Sequence, residues 1–122
     1  MHNYLELKFW KKSRELVKQV YLITDSFPKN QQFCLSNQMQ RAVISIPSNI
    51  AEGAGRNSSK EFVRFLDIAN GSAFELETQL FLSYDFGYVT SEIINSLISD
   101  LKEIQKMIYK FRLNLEKKDL DS

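Results

Sequence analysis

Apolar residues recur along this chain at helical spacing in four stretches, separated by short polar or glycine-bearing breaks. In the first, residues 8 to 26, Phe9, Ser13, Leu16, Val17, Val20, Ile23 and Thr24 share one face, with Phe27 just beyond and Trp10 at the edge. Pro28 closes it by disfavouring helical geometry at the preceding residue. The second runs from an N-cap at Ser36 to about Ala54, with Met39, Val43, Ile46, Ile50 and Ala54 on its apolar side. A polar stripe of Arg41, Ser45, Ser48, Asn49, Glu52 and Arg56 accompanies it. Pro47 lies inside this helix, where a lost hydrogen bond costs about 3 kcal/mol unless the rod bends, so a kink is expected there. Gly53 and Gly55 are expected to stop the helix at positive φ, and Ser58 to Glu61 reads as a capping box for the next.

The third stretch, from Ser59 to about Asp85, carries Phe62, Phe65, Leu66, Ala69, Ala73, Leu76 and Leu80 on its main face. Val63, Phe74 and Phe81 fall off that face, and a second apolar stripe implies a second contact, with another subunit. Gly71 in mid-helix costs about 1 kcal/mol against Ala, which close approach of a neighbouring backbone would offset. Gly87 marks the stop, Thr90 caps the fourth helix, and Ile94, Leu97, Ile98, Leu101, Ile104, Ile108, Phe111 and Leu115 hold its stripe. Beyond Leu115 the pattern is lost and fraying is expected. These elements predict one all-α domain over residues 1–122, with an ordered core at about 7–115. Short connections favour an antiparallel up-down-up-down four-helix bundle, with helix two kinked at its proline.

Composition changes this picture mainly by exclusion. Hydrophobic residues at 43% and charged residues at 25% suit a soluble globular domain, and no apolar run approaches the roughly 18 residues of a membrane span. A cytoplasmic, membrane-free protein is expected, in which the single Cys34 forms no internal disulfide and serves as a small buried thiol. A net charge of +1 leaves attraction to nucleic acid to local patches. The one histidine, His2, stands at an expected mobile terminus, so no histidine-based acid–base pair, di-iron site or triad can be assembled in the core. No cysteine pair offers a zinc site, and Gly53 and Gly55 lack the context of a phosphate loop. No catalytic, metal or cofactor site is expected.

Two groups of residues remain as candidates. Arg41, Ser48, Asn49, Glu52, Ser72 and Glu75, with Gln79, lie in or beside apolar faces and can meet across the bundle. They read either as a network that fixes helix register and satisfies carbonyls freed by Pro47, with Arg41 or another donor approaching any internal Glu, or as a ligand site. The second group is basic: Lys8, Lys11, Arg14 and Lys18 on helix one, Arg56, Lys60 and Arg64 at the start of helix three, and Lys102, Lys106 and Lys110 along helix four. These are solvated exterior or phosphate contacts, the junction gaining from the positive end of helix three.

The run Arg41-Ala42-Val43-Ile44-Ser45-Ile46-Pro47-Ser48-Asn49-Ile50-Ala51-Glu52-Gly53 resembles the signature of the four-helix-bundle proteins first noticed as reading frames in intervening sequences of bacterial 23S rRNA genes. Leu7 to Trp10, Phe27-Pro28, Gln38, Phe62 to Leu66, Gly71-Ser72 and Glu75 to Gln79 match family positions as well, so the resemblance spans about residues 7 to 112. Cys34 and Asn70 depart from it, standing where relatives commonly have Gly and an apolar or small residue. The resemblance implies a four-helix bundle assembled as a homopentamer. It also implies similarity to basic pentameric accessory proteins that act beside a reverse transcriptase in diversity-generating retroelements, from which this chain departs in its near-neutral charge. The resulting expectation is a non-enzymatic oligomeric scaffold binding RNA, DNA or a ribonucleoprotein. The alternatives are a protein-interaction module using exposed aromatics such as Tyr84 and Tyr88, and an enzyme or small-ligand receptor built on Asn49, Glu52 and Glu75.

Overall fold

Helices form where the apolar spacing places them. The structure, a computed structural model, describes residues 1–31 and 34–121. Its α-helices are α1 (Lys8–Thr24), α2 (Leu35–Ala54), α3 (Ser59–Asp85) and α4 (Ser91–Asp121), with single 3-10 turns at Tyr4–Glu6 and Lys29–Gln31; no strand occurs among the described residues. Two of the starts are set by side-chain caps. Ser58 Oγ accepts from the Glu61 N–H at 3.1 Å and Thr90 Oγ1 from the Ile93 N–H at 3.2 Å, each satisfying a donor that the first turn leaves free.

The start of α2 differs from expectation. Ser36 is not its cap but a buried residue of the first turn, and Cys34, which precedes the helix, makes no capping bond. Burial of Leu35 and Ser36 draws the chain into helix two residues early and leaves the Cys34 thiol exposed rather than buried. At the other end of the chain, α4 continues to Asp121, beyond Leu115, its last buried apolar position among the described side chains.

Gly53, Gly55 and Gly71 depart from the roles expected of them. Gly87 alone has positive φ (77°) among the described residues, so neither Gly53 nor Gly55 stops α2 by a left-handed turn. Gly53 lies within the helix, and Gly55 closes it at φ −80° with its N–H donated to the Ala51 carbonyl at 3.2 Å. Gly53 is instead the close-approach residue: a Cβ there would lie 2.6 Å from Phe65 Cβ and 2.9 Å from Phe62 Cδ1. Gly71, expected to admit a neighbouring backbone, has no atom within 4 Å of where its Cβ would be.

Each helix packs against two others, α1 on α2 and α4, α3 on α2 and α4, around one core. Met39, Val43, Ile46 and Ile50 of α2 meet Phe62, Leu66, Leu76 and Leu80 of α3 and Leu101 and Ile104 of α4 in that core, all essentially inaccessible to solvent. Each such side chain contributes about 1.5–3 kcal/mol by leaving water. Cross-helix pairs set the registers. Along α2 and α3 they are Met39 with Ser83, Ser45 with Ser72, and Gly53 with Phe62. Along α3 and α4 they are Asp67 with Arg112, Asn70 with Gln105, and Glu77 with Lys102. Residue numbers that rise on one helix fall on its neighbour. The Asn70 departure has a partner in this register, since Gln105 Nε2 donates to its Oδ1 at 3.0 Å.

Candidate functional site

The polar stripe of α2 closes only part of the network anticipated for it. Asn49 Nδ2 donates to the Ser45 carbonyl at 2.8 Å and to Ser45 Oγ at 2.9 Å, and Ser72 Oγ of α3 donates to the same Ser45 Oγ at 2.8 Å. This half-buried triad ties α2 to α3, with Ser45 at its centre. It satisfies the Ser45 carbonyl; the group freed by Pro47 belongs to Val43, four residues back from the proline, so the expected compensation does not fall on it.

Arg41, Ser48, Glu52 and Glu75 are exposed and stand outside this triad. Arg41 does not reach Glu52, because eleven residues of helix separate them by about 16 Å. The donor is Arg56, one turn on, at 3.4 Å. Glu75 accepts from Gln79 Nε2 at 3.3 Å. Gln79 is 5% exposed, and its Oε1 is buried without a hydrogen-bond partner among the described residues.

The basic residues divide into those already engaged and those free. Lys18 pairs with Glu15, Arg56 with Glu52, and Lys102 with Glu77 at 2.7 Å. Arg14 lies over Trp10 and Arg56 over Phe65, with guanidinium carbons 5.6 and 4.8 Å from the ring centroids. Lys8, Lys11, Lys60, Arg64, Lys106 and Lys110 are exposed and form no ion pair among the described residues. At the α3 start, Ser58 holds the Glu61 N–H, which reduces the donors open to an anion, and Lys60 and Arg64 line a shallow groove with Asp67 and Ile68.

An open groove of about 700 Å³ lies along α3 and α4, lined by Phe74, Tyr109, Lys102, Lys106, Lys110 and Asn70 among others. Lys102 Nζ sits 5.8 Å from the Phe74 ring centroid while it pairs with Glu77. The four-residue intervals on α4 and the off-face position of Phe74 were legible in sequence. Their meeting in one groove was not, because it depends on the α3–α4 register.

Sequence reasoning missed two further contacts. His2 is not mobile. Its N–H donates to the Ala54 carbonyl at 2.8 Å and its ring packs 5.2 Å from Phe62 and 5.6 Å from Phe111, tying the chain start to the end of the bundle. Burial, and then the positive charges of the Met1 ammonium and Lys118, lower its pKa below the ordinary imidazole value. Arg112 makes a bidentate pair with Asp67 at 2.8 and 3.2 Å and a second with Glu116 at 2.6 Å. Hydrogen bonding to Asp67 holds its guanidinium still more firmly protonated. No sequence signal marked the His2 docking or the Arg112–Asp67 pair, since each joins residues more than forty positions apart, whereas Arg112 and Glu116 are one helical turn apart.

Four helices around a single apolar core, with a proline inside the second and a polar triad beside it, define the class as a four-helix protein. The chain belongs to the family described as 23S rRNA-intervening sequence protein, whose pattern it matches over residues 5–110. It is similar to a crystal structure from Bacteroides thetaiotaomicron, of a protein with unknown function from the S23 ribosomal protein family. The two share 30% sequence identity with a TM-score of 0.79, over 85% of this chain and 94% of that one. A search among curated proteins finds no match.

Proposed function

We propose that this chain is a non-enzymatic, homo-oligomeric scaffold, pentameric in keeping with its family resemblance, that binds nucleic acid or a ribonucleoprotein in the cytoplasm. Its subunit on this reading is an antiparallel up-down-up-down bundle bent at Pro47. The opposed residue order of the cross-helix pairs and the missing N–H of the proline support that subunit.

The observation that carries the reading is a surface on which Lys60 and Arg64, unpaired among the described residues, line a groove with Ile68, one of several apolar side chains that one subunit leaves exposed. Phe81 is half exposed, Ile44 and Ile68 are exposed too, and the space over Gly71 is open, a distribution that suits contact with further copies. The free lysines and Arg64 suit phosphate. Glu52 and Glu75, the carboxylates of the alternative ligand-site reading, are exposed and engaged by Arg56 and Gln79, which favours a scaffold over a reaction centre. No helix of the described residues is long and apolar enough to cross a membrane.

The test is recovery of the full chain at low salt, with its mass measured by light scattering and its nucleic-acid content by absorbance. A multiple of the 14.3 kDa subunit that carries or binds RNA, with affinity falling steeply as salt rises, is expected. Replacing Lys8 and Lys11, both exposed and without an ion pair among the described residues, by Gln should flatten the salt slope. A monomer, or binding indifferent to salt, would overturn the proposal. The protein-interaction reading is favoured by the exposed Tyr84 and Phe86 at the α3–α4 connection. Tyr88, by contrast, is half-buried between Phe27 and Phe86. Weakly salt-dependent partner binding lost on Tyr84→Ala would select that reading.

A further inference from the structure

The groove along α3 and α4 has a composition that neither a solvated exterior nor a phosphate patch requires. Phe74 is 52% exposed and Tyr109 61% exposed, so two aromatic rings stand in water where helix surfaces ordinarily carry polar residues. Lys102, Lys106 and Lys110 line the same groove. At four-residue intervals they recur about every 6 Å along α4. The one carboxylate in the lining, Glu103, is held by Lys12 of α1 at 3.1 Å, and Lys102 is held by Glu77. Lys106 and Lys110 keep their charge unpaired among the described residues.

We infer that this groove binds single-stranded nucleic acid, with base faces stacked on Phe74 and Tyr109 and phosphates on Lys106 and Lys110. The inference rests on the nucleic-acid reading above and narrows it to one class of ligand. Rows of cations beside exposed rings match what single strands present: a regularly charged backbone and unstacked base faces. A duplex offers the backbone but keeps its base faces inside the stack, so it would leave both rings in water. An acidic peptide would satisfy the lysines but gives the rings no flat partner at each charge. Lys102, pinned between Glu77 and the Phe74 face, serves to orient that ring rather than to meet phosphate.

The test uses the full chain and fluorescence anisotropy with a labelled twelve-nucleotide oligouridylate, a duplex RNA of equal length and a polyglutamate peptide, each across a salt series. The single strand is expected to bind best. Phe74→Ala or Tyr109→Ala should weaken it roughly tenfold each with the salt slope unchanged. Lys106→Gln with Lys110→Gln should reduce the slope by about 1.4, that is, about 0.7 for each phosphate deprived of its cation. All four side chains lie on the surface, so circular dichroism and light scattering should match the parent. Equal or tighter duplex binding, or ring variants without effect, would overturn the groove assignment and leave the scaffold reading standing. Preference for polyglutamate would overturn it in favour of a protein partner. Altered oligomer mass in the ring variants would overturn it in favour of a second copy of the chain. No binding of either nucleic acid would overturn both readings.

Discussion

Two glycines in this chain should respond to the same substitution with opposite signs. Gly53→Ala introduces a methyl whose ideal position is 2.6 Å from Phe65 Cβ and 2.9 Å from Phe62 Cδ1. Neither neighbour can yield cheaply: Phe65 Cβ is fixed to the α3 backbone, and Phe62 is fully buried. Relief requires α2 and α3 to separate, and overpacking of this kind costs about 1–3 kcal/mol. Against it stands the gain of about 1 kcal/mol from replacing glycine by alanine within a helix. Because the closest clash is between two backbone-anchored carbons, the upper part of the range applies and a net loss of about 1–2 kcal/mol is expected. Gly71→Ala carries the same helical gain with nothing within 4 Å to oppose it, so the single chain should gain about 0.5–1 kcal/mol. Urea denaturation followed by circular dichroism, with an unchanged m-value, reads both. A higher midpoint for Gly53→Ala would refute the close-approach argument. A loss for Gly71→Ala that grows at higher protein concentration would place a second copy over that residue.

Three further expectations concern polar side chains. The lowered pKa of His2 means that between its folded value and about 6.5 the unfolded chain binds more protons, so its contribution to stability is complete above that range and falls as pH drops through it. Thermal melts from pH 8 to 5 should show this component, and His2→Phe, which retains the ring packing on Phe62 and Phe111, should remove it; an unchanged difference between the two proteins across pH would refute it. Arg112→Gln breaks the bidentate pair with Asp67 and the pair with Glu116, at a partly exposed site, and should lower stability by about 0.5–1 kcal/mol, an effect that shrinks in high salt. Gln79→Leu removes a buried amide oxygen that has no partner among the described residues, and since such an atom costs about 1–3 kcal/mol, the variant should be at least as stable as the parent by chemical denaturation.

Much of the polar surface was legible as a set of candidates and illegible as a site. The intervals of Lys102, Lys106 and Lys110 and the off-face position of Phe74 are properties of single helices, visible by counting along the chain. Whether Arg41 meets Glu52, whether Asn49 serves the carbonyl freed by Pro47, and whether Lys102 faces Phe74 all depend on distances between turns or between helices. There the structure replaced Arg41 by Arg56, directed Asn49 to the Ser45 carbonyl, and brought Lys102 to both Glu77 and Phe74.

The amino-acid order by itself determined the number of α-helices, the bounds of α3, the caps at Ser58 and Thr90, the left-handed stop at Gly87 and the apolar stripes that become the core. All of these rest on interactions within a few residues, or on which faces must leave water. Tertiary structure alone decided that Gly53 rather than Gly71 admits a neighbouring helix, that His2 docks on Phe62 and Phe111, that Cys34 stays in solvent, and that Arg112 closes on Asp67. Each of these depends on the register at which one helix packs on another, and that register emerges only when all the stripes are buried together.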